Sequence, residues 1–107
     1  MVIDFRAYTF RPGGVPTFLE LAEREGVPTQ KRHLGNFIGM FRTEFGDINQ
    51  VIHMWGYESV AERERRRALC AADPAFQAYG KKARELIVAQ EVRLLVPTAF
   101  SPDLGKL

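Results

Sequence analysis

His53-Met54-Trp55-Gly56-Tyr57-Glu58-Ser59-Val60-Ala61-Glu62-Arg63-Glu64-Arg65-Arg66-Arg67-Ala68-Leu69 is the stretch on which the fold turns. Its start alternates, with His53, Trp55 and Tyr57 projecting to one side, the period of a strand. Ser59-Val60-Ala61-Glu62 then reads as a capping box. The Ser59 hydroxyl accepts the Glu62 amide, and the Glu62 carboxylate reaches back to the Ser59 amide. A strand thus passes directly into an arginine-rich helix beginning at Val60, and that start decides which arginines share a face.

Upstream, Ile48 to Tyr57 is the second arm of a hairpin whose first arm runs from Asn36 to Phe45, with Gly46-Asp47 as the tight turn. Phe37, Phe41 and Phe45 stand opposite Ile38, Met40 and Arg42 in the first arm. Val2 to Arg11 alternates Ile3/Phe5/Ala7/Thr9 with Val2/Asp4/Arg6/Tyr8/Phe10, a first strand ended by Pro12-Gly13-Gly14. Helical spacing begins at Val15, where Phe18, Leu21 and Ala22 form an apolar stripe; Gly26-Val27-Pro28 breaks or kinks it, and Thr29 to Leu34 adds a turn before Gly35.

Downstream, the capped helix extends to about Ala72. Asp73-Pro74 starts the next helix, with Phe76, Tyr79, Gly80, Ala83 and Ile87 at helical spacing. Val88 to Val96 is the last strand, and Pro97 to Leu107 reads as an irregular tail. The order β-α-β-β-α-β predicts an α+β, ferredoxin-like domain over 1–107, a four-stranded antiparallel sheet with helices on one face. Large apolar residues occupy both strand faces, as in Phe5 with Tyr8, Phe41 with Met40, and Leu94 with Leu95. A sheet wet on one side alternates more cleanly, so a second copy packed sheet to sheet, a homodimer, is expected.

At 107 residues, 46% hydrophobic and 26% charged, the composition fits one globular domain and argues against disorder. A formal charge of +2 gives no general pull toward nucleic acid or anionic membrane, and Glu62 and Glu64 interleave the arginine run. No apolar stretch approaches the ~20 residues of a membrane span. Met1 to Arg6 lacks a signal-peptide pattern, and the lone Cys70 makes no intramolecular disulfide, so a cytoplasmic location is expected. His33 and His53 lack metal-ligand spacing, and Pro12-Gly13-Gly14 is no phosphate loop, so neither metal nor cofactor is expected.

Arg6-Ala7-Tyr8-Thr9 before Pro12-Gly13, Arg32-His33-Leu34-Gly35-Asn36, His53 to Ser59 with Ala61 to Arg67, Asp73-Pro74-Ala75-Phe76 and the tail from Pro97 to Pro102 together resemble the NIPSNAP family. The resemblance covers nearly the whole chain in order. It implies a dimeric α/β-barrel, two ferredoxin-like domains joined face to face. Its wider superfamily includes cofactor-free monooxygenases, haem-degrading enzymes, isomerases and transcriptional effector domains, so fold does not choose the chemistry. NIPSNAP proteins are associated with vesicles and mitochondria in animals and have no agreed enzymatic activity. The haem-degrading relatives carry a histidine about two turns into the helix after the third strand; this chain has Arg65-Arg66-Arg67 there, which counts against a haem ligand.

Among candidate site residues, Arg65 comes first. At about 100° per residue it falls in one stripe with Ala61, Ala68, Leu69 and Ala72, while Arg63, Arg66 and Arg67 fall on the sides and back. An inward guanidinium suits a carboxylate, phenolate or enolate; the bland alternative is a pair with Glu44 or Glu58. His53, Trp55 and Tyr57 either line the cleft between sheet and helices, with His53 as general base, or pack at a dimer interface. His33 with Asn36 offers a second polar pair, unless His33 only covers carbonyls at a helix end. Asp4, Arg6 and Tyr8 are expected in a polar network between two sheets. The functions in view are a small-molecule site supporting cofactor-free oxygenation or isomerisation, a non-catalytic dimeric interaction module, and a haem or porphyrin binder.

Overall fold

In the computed structural model, which describes residues 1–103, the central strand is β1 (Val2–Phe10). It is flanked by β3 (Gln50–Tyr57) and β4 (Ile87–Leu95), with β2 (Asn36–Arg42) at the outer edge beyond β3. The order β2-β3-β1-β4, all pairs antiparallel, is the ferredoxin-like sheet that the element order predicts. The helices are α1 (Gly14–Leu21), α2 (Val27–Leu34), α3 (Val60–Ala71) and α4 (Pro74–Leu86).

Local chemistry sets the helix starts. Ser59 Oγ accepts the Glu62 amide at 3.1 Å, which opens α3 at Val60. Only half of the capping box forms, because the Glu62 carboxylate is held by Arg65 and Arg66 instead of reaching back to Ser59. Asp73 Oδ1 accepts the Ala75 amide at 2.8 Å and Pro74 takes the first helical position of α4.

Three elements differ from expectation. Between α1 and α2 the chain does not break: it widens into a π-helical turn, Ala22–Gly26, and continues. Pro28 has no amide to donate to the carbonyl four residues back, and its ring crowds that carbonyl, so the helix loosens just ahead of it. The hairpin loop is longer than Gly46-Asp47. Pairing ends at Arg42–Val51, Asp47 Oδ1 accepts the Asn49 amide at 3.1 Å, and Phe45 and Ile48 project outward. Finally, a bulge at Ile38 breaks the alternation of β2, so Phe37 lies opposite Trp55 and Met40 opposite His53, while Phe41 moves to the other face.

Buried Val51, His53, Trp55 and Tyr57 face the helices, which decides between the two readings of that strand. The pairs Asp4–Trp55, Arg6–His53 and Tyr8–Val51 put Asp4, Arg6 and Tyr8 on the same side. The expected network of these residues between two sheets is therefore corrected: they face the helices of their own chain. Two apolar clusters pack there, one around Phe10, Phe18, Val51 and Tyr79, the other around Val2, Leu34, Trp55, Tyr57 and Cys70. The tail is irregular through Asp103, and 104–107 of the expected tail lie outside the described residues.

Tyr79 lies against the backbone of Gly26, where a Cβ would fall 2.8 Å from the tyrosine hydroxyl oxygen. Gly26→Ala is expected to lower stability by about 1–3 kcal/mol through overpacking, read as a lower urea midpoint with unchanged m-value. An unaltered midpoint would mean that Tyr79 moves aside freely.

Candidate functional site

A polar seam runs between the two apolar clusters, and Asp4 is its centre. Its carboxylate is fully buried in the central strand. Arg6, two residues along the same face, donates from Nε at 2.8 Å and from Nη2 at 3.3 Å. Arg63 of α3 donates from Nε at 2.9 Å, and Arg67, one turn later, brings Nη1 to 4.0 Å. Burial alone would raise the Asp4 pKa; the hydrogen bond and charge of Arg6, with Arg63 and Arg67, more than reverse it and hold the carboxyl below its ordinary value.

His53 lies opposite Arg6 and is buried. Trp55 Nε1 donates to its Nδ1 at 3.3 Å, so the neutral ring carries its proton on Nε2. Among the described residues that Nε2–H has no hydrogen-bond partner, and the buried Tyr57 hydroxyl sits beside the Arg67 guanidinium. Burial first, then the charge of Arg6, lowers the His53 pKa to about 4, against the opposing pull of Asp4. Burial raises the Tyr57 pKa, with Arg67 pulling the other way. The seam thus offers guanidinium, imidazole and phenol hydrogens, while its one carboxylate is already engaged. Such a donor set suits an anion.

The arginine expected to lead is not the one that points inward. Arg65 lies on the solvent side of α3 and forks onto Glu62, Nε at 3.0 Å and Nη2 at 2.6 Å. The stripe of Ala61, Ala68, Leu69 and Ala72 is exposed with it, and α3 turns Arg63, Arg67 and Cys70 toward the sheet. Alanines bury too little area to orient a helix, whereas Asp4 requires cations. The missed signal is Asp4, an acid on an aromatic-rich strand matched by arginines at i and i+4.

Trp55, 1% exposed, stacks on Phe37 with ring centres 4.5 Å apart; it presents no free ring face and serves the seam by fixing the His53 tautomer. His33 lies elsewhere: its Nε2 donates to Asp73 Oδ2 at 2.8 Å, tying the end of α2 to the cap of α4. The His33 carbonyl is covered by Arg66 Nη1 at 3.3 Å, an approach admitted by Gly35 at φ +91°. Asn36 pairs with Gly56, beyond the seam, in a depression of about 460 Å³ that also touches Tyr57, Glu62 and Arg66. The structure therefore brings His53, Trp55 and Tyr57 together, leaves His33 and Arg65 apart from them, and places Asn36 at the sheet edge, where its depression reaches Tyr57 but neither His53 nor Trp55. Among the described residues no group of three His, Cys, Asp or Glu side chains is placed to hold a metal ion.

A family model described as NIPSNAP matches residues 3–102. Human protein NipSnap homolog 3B is 29% identical over 101 residues, covering 94% of this chain and 41% of the human protein, so the chain spans about two-fifths of that relative. A crystal structure of a NIPSNAP family protein from Agrobacterium tumefaciens strain C58 aligns at TM-score 0.92 with 42% identity, covering 95% of this chain and 97% of that one. An antibiotic biosynthesis monooxygenase aligns at TM-score 0.67 and 13% identity, covering 92% and 99%, a likeness of fold alone.

The His53 shift carries a stability signature. Between about 4 and 6.5 the unfolded chain binds a proton at this ring that the folded chain does not. Stability is therefore fully present above pH 6.5 and falls as pH drops toward 4, by about 3 kcal/mol at this site. Urea midpoints measured across that window are expected to fall in the wild type and to fall less in His53→Asn. A His53→Asn slope equal to the wild-type slope would assign the dependence to another group.

Proposed function

The chain belongs to the NIPSNAP family, and we propose that its arginine seam binds a small anionic ligand, an aromatic carboxylate or phenolate, in the cleft between sheet and helices. The observation that carries this reading is the surplus of donors: Arg6, Arg63 and Arg67 surround the carboxylate of Asp4, and among the described residues His53 Nε2–H stands unpartnered beside them. Along β4, Val92 and Leu94 lie opposite Arg6 and Asp4 on the seam's side of the sheet and are uncovered, which favours approach from that edge.

Binding is favoured over proton abstraction. A cofactor-free oxygenase or isomerase would use His53 as base, yet a ring held at about 4 with Nε2 already protonated is a weak one. Arg6 and Arg63 donate to Asp4 directly, while Arg67 stands off at 4.0 Å, so Arg67 is the guanidinium with the most capacity left for a ligand. In calorimetric titration with 2-naphthoate, Arg67→Met is expected to weaken binding about ten-fold or more. Arg65→Met, on the outer face, is expected to stay within about two-fold of wild type. Equal loss in both variants would reduce the effect to general surface charge.

A second reading rests on the opposite sheet face. Phe5, Ile52, Met54 and Phe41 form an apolar surface there, with Phe41 51% exposed, and among the described residues no helix covers it. Residues 1–107 are read as one domain that pairs sheet to sheet with a second copy, forming a dimeric α/β-barrel. The buried single thiol of Cys70 suits a reducing compartment such as the cytoplasm, and among the described residues no helix is long and apolar enough to cross a membrane. Light scattering should give twice the 12.2 kDa chain mass, and Phe41→Lys should shift it toward the monomer. A wild-type monomer at high micromolar concentration would sink the dimer.

A further inference from the structure

On the far side of Tyr8 from His53, α4 stands off the sheet and leaves a pocket of about 370 Å³. Tyr8, Phe76, Tyr79, Ala83 and Ile87 form the apolar part of its wall, and Gln30 of α2, Arg84 and Gln90 supply the polar part. The volume falls within the ~300–1,000 Å³ of small-molecule sites. The wall is aromatic, with the Phe76 and Tyr79 rings 5.9 Å apart. Gln30 is 7% exposed, and its Oε1 is buried with no hydrogen-bond partner among the described residues. Buried acceptors are nearly always paired, so an empty partner position at the wall of a mixed aromatic and polar pocket is a place for a ligand donor.

The pocket and the seam share Tyr8. Its ring meets His53 edge-on at 4.9 Å, and Arg6 lies two residues away on the same strand face, about 7 Å along β1. We propose that this pocket takes the aromatic body of the ligand and that Gln30 reads an O–H or N–H remote from the acid group. The ligand class is then aromatic acids with a distal donor, a conclusion that rests on the anion-binding reading above. Selection follows because an acid without that donor leaves Gln30 unpaired, whereas aromatic contact alone discriminates little between close analogues.

The test is calorimetric titration of 2-naphthoate and 6-hydroxy-2-naphthoate into the wild type and Gln30→Met, with thermal unfolding of both proteins as the fold control. The hydroxy acid is expected to bind the wild type about ten-fold more tightly than the parent acid. In Gln30→Met the two acids are expected to bind alike, with the parent acid within about two-fold of its wild-type affinity. Equal affinity of the two acids for the wild type overturns the Gln30 assignment and leaves the arginine site standing. Binding of neither acid removes the arginine site itself and this proposal with it. Should Gln30→Met not fold, the wild-type pair decides alone.

Discussion

A carboxylate in the middle of a central strand has no water to solvate it, and leaving one unpaired costs several kcal/mol. Asp4 is such a group, and much of the molecule follows from its neutralisation. Arg6 comes from the same strand face, Arg63 and Arg67 from α3. Because the two α3 residues are four apart, meeting Asp4 fixes the rotation of the helix, and Cys70 follows at i+7 into the apolar cluster with Leu34 and Trp55. The helix then exposes Ala61, Ala68, Leu69 and Ala72 and directs part of its charged side inward. Electrostatics, not apolar burial, orients this element.

The same neutralisation overshoots. With Arg6, Arg63 and Arg67 around one acid, the seam carries a positive field, and His53 registers it: burial and Arg6 together keep the ring neutral. Neutrality in turn lets Nδ1 accept from Trp55, and that bond assigns the remaining proton to Nε2. Trp55 thus acts at a distance, through a tautomer, although its own ring is closed off by Phe37. Interactions that look structural one at a time add up to a donor-rich strip.

Punctuation was the legible part of the sequence. Ser59 and Asp73-Pro74 mark helix starts through bonds within a few residues, and the strand order follows from the element order, so both could be read locally. His53, Trp55 and Tyr57 were legible as one face for the same reason. What local pattern could not supply was the partner of each face. The direction of the β3 face, the rotation of α3 and the side taken by Arg6 all depend on Asp4 meeting residues about 60 positions away. The Ile38 bulge is a related case: one extra residue moved Phe41 away from the face of Phe37, and nothing in Phe37-Ile38-Gly39-Met40-Phe41 except the glycine hints at it.

β1 also ties the two functional readings to each other. Its even residues Asp4, Arg6 and Tyr8 build the seam, while its odd residues Ile3, Phe5 and Ala7 belong to the opposite face. The strand carries ligand chemistry on one side and the apolar surface read as a dimer contact on the other, with only the backbone between. β4 extends the arrangement, for Val92 and Leu94 border the seam while Leu95, opposite Ile3, belongs to the other face. Because β4 pairs with β1 alone and every residue after the half-buried Ile87 is exposed, its position rests mainly on that one ladder. On the two proposed readings, a contact that presses on the open face of β4 would therefore also bear on the side of the sheet that carries the seam.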